Sequence, residues 1–421
     1  MNKKIIVNFL QNTTLLTLAI TAVLILLRFP MLDGEISRKM RAILSAPENS
    51  VHQSVDLTGA ITTLHLVVTD ETEFGRYTQM NASSSGEAFQ KLEPLLRGAI
   101  GSAAKMREAT HAEFRAALQT PGIYVDLTTA LPISVVAAWL GEQFDCEDDI
   151  RALALTTARE TVLLFFLRED GSLLRCECAL TSSAVREITA AFPPNGGRFA
   201  YESEYSAFSP YTVLVQTVNN AAQMVASIPA GYSAYNLLTA LTLNAHTTSR
   251  YFESSGTEVV MQAPHFVWIG ADGTVHYSSD GEVTDQMYKI SCKGEMPSAV
   301  EALQGAYLLA TSLSSGTEAS SLSLEGIEKT ETGWIITFCY RLDGVRVRLG
   351  NERAALKVVV SGDVISEFDY FCRAYTPTQE RVELLPPSMA VAIAAVHDGA
   401  ELTLAYVDTG MSVYGAHWFA E

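Results

Sequence analysis

Basic residues are scarce in this chain. Its 421 residues hold 29 Lys and Arg against 47 Asp and Glu, a formal charge of -18 at pH 7. Lys3, Lys4 and Arg28 are the only charged residues among the first 29, so -18 less their +3 leaves -21 on residues 30–421. A surface that acidic is repelled by DNA, RNA and anionic headgroups, which sets nucleic acid aside as a partner.

Catalytic signatures are missing as well. There is no G-x-S-x-G elbow, H-E-x-x-H helix, Walker A loop or EF-hand pattern. The glycine-rich pieces Ser83–Gly86 and Gly196-Gly197 lack the strand-to-helix context that phosphate cradling needs. No catalytic residue, cofactor or metal centre is therefore expected. Cys146, Cys176, Cys178, Cys292, Cys339 and Cys372 form no C-x-x-C and have no histidine at ligand spacing. Cys176 and Cys178 fall on one face of a strand, which suits small core side chains better than a mutual bridge. Most of the six read as buried free thiols, with one or two bridges as the alternative.

What is there is mainly apolar. Hydrophobic residues make up 48% and charged ones 18%, a globular composition. The longest apolar run, Leu10–Phe29, is interrupted only by Gln11, Asn12, four threonines and Arg28. Twenty helical residues span about 30 Å, the thickness of a bilayer core. Lysines before the run place the N-terminus in the cytoplasm and residues 30–421 outside it. A cleaved signal peptide is the rival reading, but Leu26-Leu27-Arg28-Phe29-Pro30 offers no small residues for a peptidase. The expectation is an uncleaved, single-pass anchor in the cell membrane. At 100° per residue, Gln11, Thr14, Thr17 and Thr21 share about a third of the helix circumference, a face suited to a partner helix.

The remainder alternates strand and helix patterns, an α+β arrangement of antiparallel sheets packed with helices. The expected organisation is a cytoplasmic start (1–9), the span (10–29), and three α+β ectodomain blocks (30–195, 196–315 and 316–421). Pro193-Pro194-Asn195-Gly196-Gly197 reads as the linker after the first block. Hairpin turns are expected at Glu169-Asp170-Gly171, Ala271-Asp272-Gly273, Asp343-Gly344 and Gly362-Asp363. The spacing over Gly86–Leu118 predicts two or more helices broken around Pro94 and the Gly98/Gly101 region, and Ser134 is the expected cap of a helix over Ser134–Gly141. Strands followed by a helix recur in 258–313 and 333–397, which suggests a diverged duplication.

Weaker chemical candidates are a run of five carboxylates in Glu142–Asp149, and His265 with Trp268 and His276 on neighbouring strands. The first reads more simply as a solvated acidic loop, the second as ordinary histidines. His417-Trp418 reads as a strand packing its aromatic.

Three stretches carry a resemblance. Asn12–Leu18 and the span that follows are one. Arg250–Val260 with Gly273–Tyr277 is the second. The third is Gly333–Phe338 with Tyr340, Arg341 and Gly344, then Ala374–Pro377, closed by Ala405-Tyr406 and Ala416-His417-Trp418. Together they resemble the YycH family and, in the C-terminal block, its relative YycI: membrane-anchored regulators of the WalK (YycG) sensor histidine kinase. A proline common in that family before the final tryptophan is absent here. The resemblance implies a non-catalytic regulator whose membrane helix contacts those of the kinase, with a YycI-like protein as a second partner. Two other classes fit the same features: an anchored binding protein for envelope glycan or peptide, and an anchored hydrolase with an unrecognised site.

Overall fold

The computed structural model describes residues 55–71, 76–103, 105–218, 220–246, 249–283, 287–292, 294, 296–397, 401–410 and 415–420. The run 10–29, with Gln11, Thr14, Thr17 and Thr21, lies outside them. Among the described residues, no helix is long and apolar enough to cross a membrane. From Ser54 onward the chain forms one unit of α+β architecture.

Seven strands build the first sheet: β1 (Thr63–Thr69), β2 (Tyr77–Met80), β3 (Arg107–Ala109), β4 (Gly122–Pro132), β5 (Asp149–Ala158), β6 (Thr161–Arg168) and β7 (Leu173–Cys178). They run β2-β1-β4-β5-β6-β7-β3, every pair antiparallel. Helices α1 (Glu87–Gly101), α2 (His111–Ala117), α3 (Ile133–Trp139) and α4 (Ser182–Thr189) accompany it. Period-two alternation gives the sheet two apolar faces. Leu66, Val125 and Leu155 point into the main core with α1 and α3. Val67, Tyr124 and Phe165 point the other way, under Phe114 of α2 and under Phe199, Tyr211 and Val213.

The second sheet has eleven strands. After β8 (Arg198–Phe199), β9 (Val213–Leu214), β10 (Ala222–Ser227) and helix α5 (Ala234–Ala240), the chain enters a meander of β11 (Ser249–Phe252), β12 (Glu258–Gln262), β13 (His265–Ile269) and β14 (Thr274–Ser279). Helix α6 (Ala299–Thr317) follows, then β15 (Leu322–Lys329), β16 (Gly333–Leu342), β17 (Val345–Leu349), β18 (Leu356–Ser361) and β19 (Val364–Phe371). The chain ends with β20 (Ala374–Arg381), α7 (Pro387–Ala394), β21 (Leu402–Asp408) and β22 (Ala416–Ala420). The order is β11-β12-β13-β14-β19-β18-β16-β17-β21-β22, with β15 also on β16; β17 and β21 are parallel. One face, carrying Val267, Tyr277, Phe368, Val358 and Ile336, joins the main core along with Leu303, Leu309 and Leu313 of α6.

Several expectations are corrected. Two helices do occupy Gly86–Leu118, the first ending at Gly101, but α1 runs unbroken through Pro94 and Gly98. A mid-helix proline costs about 3 kcal/mol. Burial of Phe89, Leu92, Leu95, Leu96 and Ile100 outweighs it at about 1.5–3 kcal/mol per large side chain. Ser134 is not a cap: Pro132 holds that position, and the Ser134 hydroxyl donates to Glu147. Asn195, in the expected linker, is fastened to β2, its side chain accepting from the Thr78 N–H and donating to the Thr78 carbonyl. The position 315/316 falls inside α6, and β14 pairs with β19, so strands from before and after it share one sheet. Duplication also fails. The first segment is a simple meander ahead of a 19-residue helix, whereas in the second β20 leaves to pair with β10 before the eight-residue α7.

The Asp343-Gly344 turn forms where expected, with positive φ at both residues (51° and 81°), as a two-residue hairpin of the primed type requires. A Cβ on Gly344 would lie 2.0 Å from the carbonyl oxygen of Asn81. Gly344→Ala therefore meets both backbone strain and a collision, and is expected to cost about 2–3 kcal/mol in urea unfolding. Gly171→Ala, also at positive φ but with open space around it, should cost about 1 kcal/mol.

Candidate functional site

The face of the second sheet away from the core is polar. Register places Trp268 opposite His276, His276 opposite Asp369, Asp369 opposite Lys357, and Lys357 opposite Thr337, a row across five strands. The alternate residues of those strands are the buried ones already described, so the same pairing that builds the core also assembles the row. Above it lies a cleft of about 740 Å³, lined also by Glu325, Arg346, Arg353 and Phe371.

Most charges in the cleft are held in pairs. His276 Nδ1 lies 2.8 Å from Asp369 Oδ1, and Arg346 forms an ion pair with Glu325. The indole of Trp268 packs on His276, with ring centroids 5.1 Å apart at 49°. Phe371 is covered on both sides: the guanidinium carbons of Arg353 and Arg373 sit 3.4 and 3.7 Å from its centroid, close enough that they must occupy opposite faces. Lys357 makes no salt bridge among the described residues. Behind the row, burial pushes the Tyr370 phenol well up. At the edge, burial works to raise Asp272, but the hydroxyl and backbone N–H of Thr274 outweigh it and hold the carboxyl below its usual range.

His276, Glu367 and Asp369 offer three ligand atoms within 4.8 Å of one another, enough for part of a divalent-cation shell. Lys357 stands opposite Asp369 in register, so a basic residue shares this part of the face. This trio is not the pair of imidazoles considered from the sequence. His265 lies on the opposite, buried face, its Nδ1 2.8 Å from the Tyr277 hydroxyl.

The other candidates fall elsewhere. Within Glu142–Asp149, Asp148 is ion-paired with Arg168 and Glu147 accepts from Ser134, and the five carboxylates do not gather around one point. Burial and the neighbouring Glu169, Glu147 and Asp148 raise Asp149. Trp418 donates its indole N–H to the Leu385 carbonyl, 2.9 Å away, and packs beside α7. All six cysteines are free thiols, and Cys176, Cys339 and Cys372 are buried. Glu325, Arg346, Lys357, Asp369 and Phe371 were not legible as site residues, because each is a single charged or aromatic residue in a strand, and Arg353 is a single charge in the connection between β17 and β18.

No family profile, curated protein or solved structure matches this chain.

Proposed function

We propose that the chain is a non-catalytic, membrane-anchored regulator of a sensor histidine kinase, of the kind the YycH family represents. One observation carries this reading: an apolar run of bilayer length whose Gln11, Thr14, Thr17 and Thr21 share one helical face. The span contacts the kinase's membrane helices through that face, and residues 30–421 lie outside the cytoplasm. A kinase poised between two states responds to any partner that binds one of them better. Interhelical contacts worth about 1–2 kcal/mol change the ratio of states several-fold. A YycI-like protein is the expected second partner.

The test is co-purification from native membranes. Full-length chain is compared with a version carrying an unrelated span at residues 1–29, and with Thr14→Leu/Thr17→Leu/Thr21→Leu. A histidine kinase should accompany the native span and fall about tenfold or more with either variant. Equal recovery with all three would refute the contact.

The cleft favours a second reading, an anchored binding protein that displays its ectodomain to envelope material. Kinase absent from every preparation, with ligand bound by the ectodomain, would select it.

A further inference from the structure

We infer that the cleft on the open face of the second sheet is a saccharide site, with Trp268 as its stacking platform and the paired polar side chains of His276, Asp369, Arg346 and Glu325 as its hydroxyl-binding groups. Charge balance comes first. The lining holds Arg346, Arg353 and Lys357 against Glu325, Glu328, Glu352 and Asp369, with His276 among them, so the two signs nearly cancel. A cleft so balanced, in a chain of charge -18, has no field to concentrate a polyanion, and its own arginines and lysine oppose a polycation.

The pairing then narrows the ligand. A carboxylate bound to one arginine or histidine keeps unused lone pairs, and a guanidinium with its five N–H groups keeps unused donors. Donors and acceptors therefore alternate over short distances, fixed in place by their mutual contacts. Vicinal hydroxyls, each both donor and acceptor, satisfy such a surface; an ion of one sign does not.

Aromatic geometry points the same way. Of the aromatic rings lining the cleft, Phe371 has a guanidinium on each face and Tyr370 is buried, which leaves the half-buried Trp268, flanked by His276 and by Phe266 (centroids 6.3 Å apart) with the rest of its ring open. Its indole N–H has no partner among the described residues, and an indole face accepts the apolar C–H face of a pyranose ring. The volume, about 740 Å³, lies in the range of small-molecule sites and exceeds what a single sugar ring fills. Lys357, mid-row and without a salt bridge among the described residues, adds tolerance for one carboxylate on the ligand. Saccharide binding here is independent of any kinase contact by the span, so either can fail alone.

The experiment uses the full-length protein in a detergent without a sugar headgroup. Chitotetraose, cellotetraose and maltotetraose are titrated while tryptophan emission and heat of binding are recorded. At least one should bind saturably with Kd below about 1 mM and shift the emission. Trp268→Ala should remove the emission change and weaken that sugar at least about tenfold. Arg346→Met, which breaks the pairing without touching the platform, should also weaken it, and Trp418→Phe should leave it unchanged. Circular dichroism matching the parent verifies each fold. The inference is overturned if none of the three sugars binds at 10 mM, if Trp268→Ala and Arg346→Met both bind as the parent does, or if citrate or zinc occupies the cleft more tightly than any sugar.

Discussion

Replacing Asp126 by alanine is expected to lower the unfolding free energy by about 3–5 kcal/mol. Asp126 on β4 and His65 on β1 are both almost fully buried, and His65 Nδ1 lies 3.0 Å from the Asp126 carboxylate. The other carboxylate oxygen is 3.6 Å from Nε of Arg151, whose guanidinium also binds Glu401 just before β21. The network thus ties the first sheet to the segment that enters the second. Removing Asp126 leaves His65 without its partner inside the protein and Arg151 with Glu401 alone. A large effect follows from the orphaned groups rather than from the net worth of the pair. Replacing His65 and Asp126 together by leucine should therefore cost much less than Asp126→Ala, a contrast that thermal or urea unfolding resolves. If the single and double variants are equally destabilised, the network is not what Asp126 supports.

The same network sets a pH dependence. Burial, then the Asp126 charge, raises Glu401 above the ordinary carboxylate range, while Arg151 opposes them. A carboxyl raised on folding stabilises the fold below its unfolded value, and that contribution is lost as pH rises through the folded one. Asp126→Ala removes one of the raising influences, so the loss should occur over a narrower and lower pH interval.

Local structure was legible where chemistry is local. Asp170-Gly171, Asp272-Gly273 and Asp343-Gly344 announce hairpins because glycine reaches positive φ without a Cβ penalty, and each turn is found. Strands β5 to β7 and β12 to β14 follow from alternation and β-branched content. Pro94 misleads because a proline's penalty is visible in sequence whereas the six residues it helps to bury are not. The position near 315 misleads similarly. A helix ending there looks like a block's end, yet strand pairing between β14 and β19 is decided by residues about ninety positions apart. The cleft is hidden for the same reason: His276 and Asp369 meet across 93 residues of chain. Alternation told which residues of each strand are polar, not which strands lie side by side.

Phe368→Ala is the substitution expected to match Asp126→Ala in severity, at about 3–5 kcal/mol. Phe368 has no exposed surface and lies on the core side of β19, between Glu367 and Asp369 of the cleft face. Its ring stacks on Tyr277 with centroids 4.9 Å apart, and Tyr277 stacks on Tyr288 at 4.7 Å. Truncation removes the transfer energy of the ring, leaves a cavity, and forfeits a stacking contact worth about 0.5–1.5 kcal/mol. Phe368→Leu keeps most of the volume and should cost about 1–2 kcal/mol. Because backbone movement at Phe368 shifts Asp369 relative to His276, the alanine variant should also weaken cleft ligands while the leucine variant retains them. Urea unfolding with an unchanged m-value would mark a true stability loss. A loss below about 1 kcal/mol for Phe368→Ala would mean that the aromatic stack does not hold β14 and β19 together, and that the cleft's floor rests on something else.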